Sequence, residues 1–131
     1  MREIAAIPTI PDSGPDDPVW YPLQHALWID TFGANLFVAT RADQTLGEEH
    51  DERSSGQQEL YVVLEGEVVF QLDGEEACLD RGTAVAVTDP AVRRSAKALT
   101  SGARLLIVGA GDDQFRSTWK PDHFGEVPRR E

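Results

Sequence analysis

The feature that most constrains this chain is its punctuation. From residue 23 to 111, short runs rich in Val, Leu, Ile and aromatics alternate with turn residues. The run at 23–30 reaches a turn at Gly33, and 34–40 follows it. Residues 60–64 end at Glu65-Gly66. Residues 68–72 end at Asp73-Gly74, a strong two-residue hairpin signal. Runs at 76–79, 84–87, 94–99 and 103–108 are closed by Asp80-Arg81-Gly82, Asp89-Pro90, Ser101-Gly102 and Gly109. Turns at a spacing of roughly 8–12 residues, with no long segment of helical period, predict an all-β sandwich or barrel. The polar stretch 48–58, which contains Ser54-Ser55-Gly56, reads as a loop between strands.

Three segments are expected. Residues 1–22 form an arm: Pro8, Pro11, Pro15, Pro18 and Pro22 rule out a regular helix between 8 and 22, and Asp12, Asp16 and Asp17 lie among them. The arm is expected to lie extended on the domain or on a partner subunit, with Trp20 covering a barrel mouth or a neighbour. Residues 23–111 form the β-domain. Residues 112–131 form a tail whose Phe115, Trp119 and Phe124 are expected to pack on the barrel or on a second copy. A homodimer is the expected assembly.

With 131 residues, the chain has enough material for one core and not two. Its net charge is −11, from 12 basic and 23 acidic residues. That excess argues against nucleic acid, whose binding depends on Lys and Arg displacing counterions, and against anionic membrane surfaces. The acidity itself is read as a solubility feature. The first ten residues hold no apolar run of signal-peptide length, and no stretch approaches the roughly 18 apolar residues of a membrane span, so a cytoplasmic protein is expected. Cys78 is the single cysteine; no intrachain disulfide can form, and it reads as a small core residue.

Two stretches carry a family resemblance. The segment Glu59-Leu-Tyr-Val-Val-Leu-Glu-Gly66 resembles the end of the first cupin motif, and the hairpin that follows it, ending at Gly74, resembles the next cupin element. Leu79-Asp-Arg-Gly82 and Val85-Ala-Val-Thr-Asp-Pro-Ala-Val-Arg-Arg94 are similar to the opening turn, strand and proline turn of the second motif. The resemblance covers about residues 30–110. It implies a jelly-roll barrel, the double-stranded β-helix, with one pocket inside. The pattern of short strands and hairpins leads to the same all-β class by itself.

In metal-dependent cupins the first motif supplies two histidines and a glutamate, and the second one more histidine. Glu59 stands at the glutamate position. The two histidine positions fall among Glu52, Arg53, Ser54 and Ser55, none of which is His. If residues 53–58 are an insertion, His50 and Glu52 take those positions. Arg94 aligns with the histidine of the second motif. A guanidinium stays protonated, has no lone pair to give and repels a cation. The resemblance, with this replacement, implies a pocket without a metal cofactor. The remaining donor set for a divalent ion is His50, Glu52 and Glu59.

Arg94 can pair with Glu59 and fill the site, or hold an anionic ligand by two parallel hydrogen bonds; both remain open. Tyr61, two residues after Glu59, shares its face on a strand, and Val63 continues that face. Arg93 should point outward toward a surface carboxylate. His25 and Trp28 are expected on an early strand, with Trp28 in the core, and His123 in the tail is expected to be solvated. No Gly-x-Ser-x-Gly elbow, phosphate-binding loop or zinc-spaced Cys/His pairs are present.

The expected function is a binding module that holds a small, polar or anionic organic molecule against Glu59, Tyr61, Arg94, His50 and Glu52. The alternative is a metal-dependent enzyme of oxygenase or isomerase type using His50, Glu52 and Glu59. A third is a structural role through an exchanged arm.

Overall fold

The computed structural model describes residues 1–11, 16–111, 113, 115 and 128. Nine strands lie among them, in two antiparallel sheets. One sheet contains β1 (Val19–Tyr21), β2 (Gly33–Val38), β9 (Arg104–Ala110), β4 (Gln58–Glu65) and β7 (Ala84–Val87), paired in that order. The other contains β3 (Thr45–His50), β8 (Arg94–Ala98), β5 (Glu67–Leu72) and β6 (Glu75–Asp80). The turn spacing predicted the all-β class, and this is the jelly-roll architecture that the cupin resemblance implied. No helix of the described residues is long and apolar enough to cross a membrane.

The core lies between the sheets, and strand parity fills it. On β4, Glu59, Tyr61 and Val63 face inward while Leu60 and Leu64 stay exposed. On β9 their ladder partners are Gly109, Ile107 and Leu105, on the same face. The opposing sheet contributes Val68 and Phe70 from β5, with Ala96 and Ala98 from β8. Tyr61 and Phe70 meet edge to face across the core, with ring centroids 4.7 Å apart.

Three local assignments are corrected. Residues 23–30 are not a strand: Leu23–Ala26 form the one-turn helix α1, so His25 sits on a helix. The turn closes with Trp28 at a φ of 60°, the left-handed position that ends helices, and this turns Trp28 out of the core to 91% exposure. Residues 45–50 are strand β3, although part of that run is polar. Its outer face meets water, so its carboxylates carry no burial cost, and the ladder to β8 decides its conformation. Cys78 is exposed on β6, the outermost strand of its sheet, where no described residue covers that face.

Part of the arm pairs as a strand. β1 runs antiparallel to β2, with Trp20 opposite Phe37, and the Ile10 amide donates to the Trp20 carbonyl at 2.9 Å. Gln44, almost wholly buried, fastens the arm further on. Its amide nitrogen donates to the Asp16 carbonyl at 2.9 Å, and its amide oxygen accepts the Thr40 N–H at 2.8 Å. Replacing Gln44 with Ala leaves these part-buried groups without that partner. We expect a loss of about 1–3 kcal/mol, read as a lower urea midpoint at constant slope; an unchanged midpoint would refute the clamp. Phe115 is exposed, whereas the tail residues Trp119, His123 and Phe124, and Asp12 and Pro15 of the arm, lie outside the described residues.

Candidate functional site

The two sheets bring four elements together at one end of the core. β4 supplies Glu59 and Tyr61; β3 ends at His50; the turn after it carries Glu52; β8 begins at Arg94. His50 and Arg94 are direct partners on the β3–β8 ladder. Seven residues, 51–57, separate β3 from β4. His50 ends β3 and Glu52 opens this loop, and both reach the same place. Within it, the Glu52 amide donates to the Pro90 carbonyl at 2.8 Å, and Ser55 Oγ donates to the Glu52 carboxylate. The loop is thereby tied to the proline turn that leads into β8.

Glu59 is the hub. Its Oε1 accepts a hydrogen bond from the Tyr61 hydroxyl at 2.8 Å. The same oxygen lies 3.6 Å from Arg94 Nε and 3.6 Å from His50 Nε2. His50 Nε2 is 3.1 Å from Glu52 Oε1, and Nδ1 is 2.8 Å from the Glu48 carbonyl. A carbonyl only accepts, so the geometry assigns a proton to Nδ1 and presents Nε2 to the two carboxylates. Burial pushes the Tyr61 hydroxyl far above its ordinary pKa. The Glu59 charge and the hydrogen bond to it push the same way, against a smaller opposing effect of Arg94. Tyr61 therefore stays protonated and acts only as a donor to Glu59.

Arg94 points inward, its side chain fully buried. At 3.6 Å its contact with Glu59 is an ion pair and too long for a hydrogen bond. Among the described residues, none of its three guanidinium nitrogens has a hydrogen-bond partner. Arg93 turns the other way, and its Nε donates to Glu49 Oε1 at 2.7 Å on the surface.

One ligand atom from each of His50, Glu52 and Glu59 lies within 4.8 Å of the others. One imidazole nitrogen and two carboxylate oxygens are donors that a divalent ion can use, and the Glu48 carbonyl orients the imidazole as such a ligand requires. The guanidinium against Glu59 does not fit that use. It sets a permanent positive charge beside one of the three donors, where a cation would have to approach.

Beside this cluster a cavity of about 620 Å³ opens toward the arm. His50 and Glu59 line it; Glu52, Tyr61 and Arg94 do not. Its apolar wall includes Trp20, Phe37 and Ile107. Register places Trp20 beside Phe37, with ring centroids 5.5 Å apart, and the Trp20 indole N–H donates to Asn35 Oδ1 at 2.7 Å. Phe37, Asn35 and Gln44 were not singled out from sequence. The alternation Asn35-Leu36-Phe37 is the one local signal that sets Asn35 and Phe37 on a common face.

No protein-family model matches the sequence, and no curated protein matches it. Solved structures do. A cupin protein from Bacteroides fragilis superposes with a TM-score of 0.66 at 18% identity, covering 85% of this chain and 90% of that one. A structure described as a sugar phosphate isomerase from a cupin superfamily, from Silicibacter pomeroyi, gives 0.67 at 20% identity, over 82% and 73% of the two chains. An RmlC-like cupin from Shewanella frigidimarina gives 0.63 at 20%, over 84% and 88%. Strand order, inward parity and these superpositions agree: the chain has the cupin fold.

Proposed function

We propose that this chain is a metal-free cupin that binds a small organic molecule in the cavity between its arm and the Glu59 cluster. The observation that carries this is the buried Arg94 guanidinium paired with Glu59. It supplies, permanently and from within the chain, the positive charge that an ion would bring to these carboxylates. At about 4 Å and an effective dielectric near 20, two unit charges interact by roughly 4 kcal/mol, and a divalent ion doubles the repulsion. A three-donor set with a single nitrogen is poorly placed to overcome that. On this reading Arg94 and Tyr61 hold Glu59 in place, and Glu59 and His50 present their polar edges to the ligand. The cavity size is in the range of small-molecule sites.

The specific observation favouring a metal enzyme is the convergence of His50, Glu52 and Glu59. A neighbour of the same fold is described as an isomerase, but a shared fold does not transfer an activity. One experiment separates the two readings. The purified protein is incubated with Fe²⁺, Mn²⁺, Zn²⁺ or Ni²⁺, desalted, and analysed for bound metal. We expect far less than one equivalent from the native sequence, and a gain for Arg94→His, which removes the charge and adds a nitrogen donor. Stoichiometric metal on the unaltered protein overturns the proposal.

A further inference from the structure

We infer that the ligand is a small organic cation, an ammonium or guanidinium group carried on an apolar or aromatic body. The inference rests on the cavity being the ligand site and names the class of molecule it takes.

The lining decides the charge. Asp16, Asp17, Asp43, Glu48 and Glu59 all face this one cavity. Arg41 is the one Lys or Arg among the described lining residues, and its Nη2 is 2.8 Å from Asp16 Oδ1. The guanidinium of Arg94, the seat an anion would need, is fully buried and not part of the lining. A carboxylate or phosphate entering here meets like charge; a cation meets a concave surface of opposite charge, which raises its local concentration. Arg94 and Tyr61 already engage Glu59, so the charge that an entering cation meets is that of Asp43 and Glu48 at the rim.

The aromatic wall gives the second, independent argument. Trp20 and Phe37 stand side by side, and the hydrogen bond to Asn35 fixes the indole. Aromatic faces next to carboxylates attract ammonium and guanidinium groups through the ring quadrupole, and Trp does so best. Ile10 and Ile107 complete an apolar surface for the body of the ligand. A neutral hydroxylated molecule would use the aromatic wall and make no use of the charge of Asp43 and Glu48.

The test uses three molecules with one body: tyramine, its neutral alcohol tyrosol, and the anion 4-hydroxyphenylacetate, each titrated calorimetrically into the full chain. We expect tyramine to bind at least tenfold more tightly than tyrosol, more weakly as salt is raised, and the anion not to bind. The double variant Asp43→Asn/Glu48→Gln changes only carboxylates at the rim and should weaken tyramine about five- to tenfold while the unliganded melting temperature holds. Tyrosol or the anion binding as tightly as tyramine, or no binding by any of the three, overturns the charge assignment. Tyramine binding that is unaffected by Trp20→Ala overturns the cavity as the site, and with it the reading on which this inference rests.

Discussion

Glu59→Gln is expected to cost about 3–5 kcal/mol of unfolding free energy, the usual penalty for stranding a buried charge, and more than removing Arg94 itself. The asymmetry comes from what each partner retains. Without Glu59, a fully buried guanidinium has no carboxylate and no hydrogen bond, and arginine cannot neutralise itself by losing a proton. Without Arg94, Glu59 still accepts the Tyr61 hydroxyl, still faces His50, and still borders the cavity. Arg94→Met, which keeps an unbranched side chain, should therefore cost about 2 kcal/mol or less, in line with the small net worth of buried ion pairs against apolar replacements. The double variant Glu59→Gln/Arg94→Met should recover most of what Glu59→Gln loses. For a domain of this size, the single change should lower the melting temperature by on the order of 10 °C. Urea unfolding of the four proteins measures the cycle. A Glu59→Gln protein within 1 kcal/mol of the parent, or a double variant no better than Glu59→Gln, would remove the buried pair from this account. If Glu59→Gln fails to fold, recovery in the double variant still decides the matter.

Such a pair was partly legible before any coordinates. Glu59 and Tyr61 are two residues apart, and strand parity alone puts them on one face. Arg94 follows Arg93 at the start of a strand, so one of the two had to point inward; the proline turn before them, by its resemblance to the second cupin motif, selected Arg94. Seven strands, β2 and β4 to β9, were marked by Gly- and Pro-containing turns. The rest depended on contacts that short windows do not contain. β3 has carboxylates on its solvent face and no strong apolar alternation, so it looked like loop until β8 paired with it. Residues 23–30 are apolar enough for a strand, yet they make one helical turn against β2, where the Gln24 side-chain oxygen accepts the Ala34 N–H at 2.8 Å. The cavity wall was hidden for a similar reason. Trp20 and Phe37 are far apart in sequence and meet through the β1–β2 register. Five of the 23 acidic residues that composition assigned to solubility line the cavity, a matter of placement that no residue count contains.

Gly66 is where the motif glycine can be tested against its hairpin neighbour. It joins β4 to β5 with a φ of +72°. A Cβ there would lie 2.9 Å from the Ala103 Cα and would also press on the Thr100 hydroxyl, which accepts the Glu67 N–H. Ala103 is completely buried, and its carbonyl accepts the Ala39 N–H, so the backbone it would displace is held on both sides. The left-handed conformation costs a side-chain-bearing residue about 1–3 kcal/mol, and forced overpacking adds about 1–3 kcal/mol. Gly66→Ala should thus lose about 2–6 kcal/mol in all. Gly74 supplies the control: its φ is +85°, in the two-residue turn with Asp73, but an added Cβ there meets nothing within 4 Å. Gly74→Ala should show only the conformational part, about 1 kcal/mol. The difference between the two variants isolates the contact between the β4–β5 turn and the 100–103 turn from the preference of glycine for positive φ. Equal losses would mean that backbone conformation alone keeps Gly66, and that the contact with Ala103 contributes nothing to holding the end of the strand that carries Glu59 and Tyr61.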